Sequence, residues 1–159
     1  MGNPNIDTMD GPDLNKAVAS SVFGWHIYHY NDARSYYMLV TPDFDPVGLT
    51  YGTAPFGKYR DHEYATEVEA WAKDCPDFCQ DIAAAWLVWE KLPTHVDAIS
   101  HDVLWRLDRI EPGLTYVSMG WIISHESYSA SEKQWFVWGA GTAPQAICRA
   151  ALKAVQVPA

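Results

Sequence analysis

Few residues in the chain have the types and spacing of a reaction centre. The most suggestive are Gly139-Ala140-Gly141-Thr142, which follow strand-forming residues and precede helix-forming ones. A glycine-bearing turn at a helix N-terminus offers backbone N–H groups and the positive end of the helix dipole to a phosphate or carboxylate. Trp138 stands beside it, with a flat ring to lay on a base. More simply, the same residues form a strand-to-helix turn with a cap. Thr142 and Gln145 have capping-box spacing, and Pro144 falls in the first turn, where a missing N–H costs little. The pattern is neither a P-loop nor a dinucleotide fingerprint. Arg34 and Tyr36 form a second group that suits a nucleotide, pairing with its phosphate and stacking on its base. They meet Trp138, Gly141 and Thr142 only if the first hairpin borders the last strand. Their plainer role is to cover a sheet edge.

Other chemistries have less support. His26 and His29 are three apart on a predicted strand, so they point to opposite faces and do not share a metal. Cys75 and Cys79 share a face only if their segment is helical, and zinc would still need two further ligands, such as His62 and His95, without a motif. No serine sits in a Gly-x-Ser-x-Gly elbow. The carboxylate pairs Asp43/Asp45 and Glu67/Glu69 read as solvated charge rather than acid–base machinery. The residues therefore assign no catalytic group, no metal and no cofactor.

Composition bounds the rest. With 159 residues and 48% apolar content, the chain has enough core for one globular domain. It carries 11 Lys and Arg against 20 Asp and Glu, a net charge of −9 that argues against a nucleic-acid polymer as partner. No apolar run approaches the about 18–20 residues of a membrane span, and the N-terminus lacks a signal-peptide pattern. Three cysteines, an odd count, suit a reducing compartment. Eight Trp and nine Tyr supply core area and rings able to stack on a ligand. Residues 41–81 hold nine carboxylates against Lys58, Arg60 and Lys73, so −6 of the net charge falls there. With its Pro and Gly content, 41–75 reads as an acidic insertion.

Residues 1–12 read as a flexible tail and 13–157 as one domain. A short helix runs from Asp13 to Gly24, then Trp25–Tyr30 and Ser35–Val40 form a hairpin. Glu63–Lys73 places Tyr64, Val68 and Trp71 on one helical stripe. From Asp81 a stronger helix aligns Ile82, Ala85, Trp86 and Trp89, which predicts that both tryptophans are buried against the sheet. Val103–Ile110, Leu114–Ser124 and Gln134–Gly139 are strand-like and joined by turns, which favours antiparallel pairing. The last strand is apolar on both faces and needs cover on both. A final helix begins at Thr142. Together these predict a three-layer α/β/α sandwich around a mostly antiparallel sheet of about four to five strands. Tyr28, Tyr30, Tyr36 and Tyr37 near a sheet edge predict a homodimer.

Two segments carry a family likeness. DIAAAWLVWEKL (81–92) and TAPQAICRAALKAV (142–155) resemble marker segments of the phage ABA sandwich domain proteins, as does VFGW at 22–25. The Cys75–Gln80 lead-in is similar too, and the likeness covers about 13–30 and 76–155 while departing at 41–75. The resemblance implies an α/β/α sandwich, a phage or prophage gene and the cytoplasm of an infected bacterium. It carries no catalytic residues to transfer. By analogy with small phage proteins that act by binding, the expected function is non-enzymatic capture of a nucleotide-type signal of host antiviral defence. The expected ligand residues are Trp138, Gly141 and Thr142, with Arg34 and Tyr36. The rival expectations are a host-protein inhibitor or assembly component using the acidic insertion, and an enzyme that degrades a nucleotide signal.

Overall fold

The computed structural model describes residues 5–9, 11–46, 62–92, 101–109, 116–124 and 134–156, with the backbone alone over 101–104, 116–124 and 134–138. A 3-10 turn (Ile6–Thr8) leads into α1 (Gly11–Ser21), β1 (His26–Asn31), β2 (Ser35–Val40), α2 (Glu67–Asp74) and α3 (Ile82–Trp89). β3 (His101–Arg109), β4 (Tyr116–Ser124), β5 (Gln134–Gly141) and α4 (Ala143–Val155) follow. The chain forms two compact units, Ala19–Pro76 and the larger Met1–Val18 with Asp77–Ala159. Among the described residues no helix is long and apolar enough to cross a membrane. All five strands pair antiparallel, in two separate sheets, β1-β2 and β3-β4-β5, where one sheet was expected. The fold is mixed α/β.

In the smaller unit, β1 and β2 pair from His26 opposite Val40 to Asn31 opposite Ser35. Strand alternation puts Tyr36, Met38 and Val40 on one face, where Tyr28, Tyr30 and Phe44 pack on them. Tyr30 stacks on Tyr36 with ring centroids 4.9 Å apart, and Tyr28 meets Phe44 at 5.0 Å. These tyrosines, expected as an exposed aromatic edge, cover one another instead, and Tyr36 is buried. On the other face His29 stacks on Tyr37.

β2 also meets residue 64. Tyr37 and Tyr64 exchange N–H···O bonds of 2.9 Å. This bridge keeps residues around Tyr64 extended, so the helix predicted over Glu63–Lys73 starts later, at Glu67. Thr66 caps it, its hydroxyl accepting the Glu69 N–H, while the Glu69 carboxylate accepts the Ala65 N–H. The predicted stripe is not the buried one: Val68 is 76% exposed, while Ala70 and Asp74 are buried. Strand pairing at Tyr64 outweighed the helical period.

In the larger unit, β4 is central and a register shift falls between Gly120 and Trp121. α4 packs on this sheet, and α3 packs on α4. α4 buries Ala146, Ile147, Cys148, Ala150, Ala151, Leu152 and Ala154, mostly small residues that let neighbours approach closely. α3 corrects the stripe predicted for it. Ala84, Ala85 and Val88 are buried, whereas Ile82 and Trp86 are 50% and 49% exposed. Trp89 is only part-buried and lies flat on Trp86, with centroids 5.6 Å apart. The sequence IAAAWLVW is apolar all round, so its period does not choose a face. Packing chose the small residues because they fit against another Ala-rich helix. Trp86→Ala is accordingly expected to cost about 1–2 kcal/mol in chemical denaturation rather than the about 3–5 kcal/mol of a buried tryptophan. A loss in the higher range would contradict the exposed placement.

Candidate functional site

The mouth of α4 is built around Thr142. Its backbone is extended, with φ −60° and ψ 162°, and it is the N-cap of α4. Its hydroxyl accepts the Gln145 N–H at 3.4 Å, and the Gln145 side-chain oxygen accepts the Thr142 N–H at 3.2 Å. The capping box read from the sequence is present. It limits the anion cradle expected at the same place, because it uses the Thr142 and Gln145 donors, Pro144 has none, and the Ala146 N–H bonds the Thr142 carbonyl. Among the described residues the Ala143 N–H has no helical or capping partner in the first turn.

Gly141 ends β5 with φ +136°, a conformation that favours glycine. A Cβ there would lie 2.7 Å from the Gln145 side-chain oxygen and 2.8 Å from Arg149 Nη1. Gly141 thus leaves room for the cap and for Arg149, whose Nη1 and Nη2 donate to the Ala140 and Met9 carbonyls at 2.5 and 2.9 Å. Arg149 Nε is buried without a partner among the described residues.

A concave opening of about 510 Å³ lies beside the cap, lined by Gly11, Cys79, Gln80, Thr142, Pro144 and Gln145. Its size falls within the range of small-molecule sites. A Cβ on Gly11 would meet nothing within 4 Å, so this wall borders open space. Asn15 of α1 holds the adjoining residues 77–79. Its amide nitrogen donates to Asp77 Oδ1 at 3.0 Å, and its oxygen accepts the Cys79 N–H at 2.9 Å. The Cys79 thiol is 3.5 Å from both the Gly11 carbonyl and Asp77 Oδ1. Burial, and then the adjacent Asp77 carboxylate, push this thiol up to about 11. Burial also raises Cys148, which donates to the Phe78 carbonyl. Both cysteines are therefore poor nucleophiles. Near pH 8 a thiol reagent should label the part-exposed Cys75 in the folded chain and reach Cys79 and Cys148 only after unfolding. Stoichiometric labelling of Cys79 in the folded chain would contradict this arrangement.

The five residues singled out from the sequence divide between the units. Trp138, Gly141 and Thr142 belong to the larger, and Thr142 lines the opening. Trp138 pairs with Met119 through its backbone, and its side chain lies outside the described residues. Arg34 and Tyr36 belong to the smaller unit. Arg34 grips Glu63 with contacts of 2.9 and 3.0 Å and lies 5.1 Å from the Tyr36 ring centre. Sequence reasoning missed Asn15, Gln80 and Gly11. Only the Cys75–Gln80 segment was marked, and as a family feature.

The smaller unit holds a separate polar cluster. Asp74, 7% exposed, uses Oδ1 to accept the Tyr64 hydroxyl at 2.6 Å, with His62 Nδ1 at 2.9 Å. Burial and then this carboxylate push the Tyr64 hydroxyl up to about 12. Tyr64 and Cys79 hold their protons more tightly folded than unfolded. Their contribution to stability is complete below their ordinary values of 10.0 and 9.0 and is lost as pH rises towards 12 and 11. Among the described residues no group of three or more His, Cys, Asp or Glu is placed to hold a metal ion.

A small mixed α/β chain with antiparallel sheets, an Ala-rich helix and an open polar cavity at that helix's mouth is the class the geometry defines. The chain belongs to the phage ABA sandwich domain family, whose model matches residues 16–152. The match runs through 41–75, so the acidic stretch lies inside the family's span. No curated protein and no solved structure matches the chain.

Proposed function

We propose that the chain is a non-enzymatic phage protein that captures a small nucleotide-type ligand, a signal of host antiviral defence, at the mouth of α4. The observation that carries this reading is the open cavity beside Thr142, walled by side chains from separate parts of the larger unit. The family membership supplies the phage setting. The expected contacts are Trp138, Gly141 and Thr142, to which the cavity adds Gln80 and Gln145. Arg34 and Tyr36 belong to the smaller unit, where Glu63 and Tyr30 hold them, and the proposed contacts do not include them. A thermal-shift panel of linear and cyclic nucleotides tests the reading, since a ligand that binds only the folded chain raises its melting temperature. A ligand at about a hundred times its Kd should stabilise by about 2.7 kcal/mol. No shift with any nucleotide at millimolar concentration would reject it. Thr142→Gly should keep the fold, since glycine is tolerated at an N-cap, and should weaken the ligand, as should Trp138→Ala. Affinity that survives both changes places the ligand elsewhere.

A second reading, self-association, is favoured by α3, where Ile82, Trp86 and Leu87 are each about half exposed. An apolar face of this kind is commonly covered by a partner. Light scattering tests it: a mass near 17.9 kDa at high micromolar concentration means a monomer and removes the reading.

A further inference from the structure

The cavity at the mouth of α4 has walls that distinguish the parts of a nucleotide. The described residues that line it bring a hydroxyl, two primary amides and a proline ring, and none of these groups carries a charge. The helix end adds little for an anion, because the capping box and Pro144 remove three of its donors. Arg149, a cation of the following helix turn, directs Nη1 and Nη2 to the Ala140 and Met9 carbonyls. The exposed Asp77 carboxylate lies 3.5 Å from the thiol of Cys79, a residue of the lining. Among the described residues no lining cation would pair with a phosphate placed here. Amides and hydroxyls suit uncharged groups instead. The Gln80 amide can donate and accept at once, and Thr142 Oγ1 and the Gln145 amide nitrogen keep donors beyond the cap, as the edge of a base and the hydroxyls of a ribose require.

We infer that this cavity takes the uncharged part of its ligand, the base or sugar of a nucleoside, and leaves any phosphate outside in solvent. The inference rests on the nucleotide reading above and narrows it. Gln80 is the side chain best suited to read a base edge. It is exposed, and its backbone N–H is already bonded to the Asp77 carbonyl, so the side-chain amide is not needed to hold the turn.

Calorimetric titration of the full chain with adenosine and guanosine, beside their 5′-phosphates and cyclic phosphates, tests this. At least one nucleoside should bind within about threefold of its own nucleotide, and inorganic phosphate should not compete. Its affinity should stay flat between about 50 and about 300 mM salt, because no charge pairing is screened. Gln80→Ala should weaken binding about tenfold with the melting temperature unchanged. If nucleotides bind while nucleosides do not, or phosphate competes and salt weakens binding, the inference is overturned and the nucleotide reading stands. Nucleoside binding indifferent to Gln80→Ala also overturns it, since the base is then held elsewhere. If nothing binds, the nucleotide reading fails and this inference with it.

Discussion

Gly139→Ala should destabilise the chain by about 3 kcal/mol or more, enough to remove much of the stability of a domain this size. Gly139 lies in β5 where α4 crosses it, and the new Cβ would stand 2.5 Å from the Ala150 nitrogen and closer still to the Ala146 carbonyl oxygen. Both neighbours are helix backbone, which cannot rotate aside as a side chain can. Either α4 lifts from the sheet or β5 bends, and each gives up contacts around residues that are now fully buried, such as Ala146 and Ile147. Gly11→Ala is the control. It meets no atom within 4 Å and faces only the strain of its φ of +51°, about 1–2 kcal/mol. Urea denaturation of the two variants reads the difference. A Gly139→Ala chain as stable as the parent would mean that β5 and α4 are not in contact there.

Phe78→Ala should cost about 3–5 kcal/mol, the range for removing a buried aromatic side chain. Phe78 is the largest of the fully buried side chains among the described residues. Its carbonyl accepts the Cys148 thiol of α4, and the next residue's N–H is held by Asn15 of α1. Losing the ring would loosen a residue whose backbone is tied to α4 and whose neighbour Cys79 lines the opening. Ligand binding should fall along with stability, unlike in Gln80→Ala. A melting temperature unchanged in Phe78→Ala would show that the ring is not a core residue.

These effects lie where the sequence is least explicit. The final helix is legible because its signals agree: Thr142, Pro144 and Gln145 mark the start, and the apolar positions fix a face. The hairpin is legible for the same reason, with β-forming runs on each side of a polar turn. The faces of α3 are not, because an all-apolar helix has no period to read. Residues 62–74 mislead, since the order of Tyr64, Val68 and Trp71 is helical, while a long-range bridge to Tyr37 holds Tyr64 extended. The site is half legible. Thr142 is found through its cap, and Gly141 through its glycine, yet the structure gives Gly141 a packing reason against Gln145 and Arg149. Asn15 and Gln80 carry no sequence signal, because their roles depend on α1 meeting residues 77–80, more than 60 positions away.

The central claim is that a small ligand sits at the mouth of α4, and backbone amide NMR tests it most directly. On titrating the isotope-labelled chain with the nucleosides and nucleotides above, the amides of Gly11, Cys79, Gln80, Thr142 and Gln145 should shift together, saturating at one affinity. Shifts confined to the β1-β2 hairpin or to the exposed face of α3, with these five amides unmoved at saturation, would contradict it.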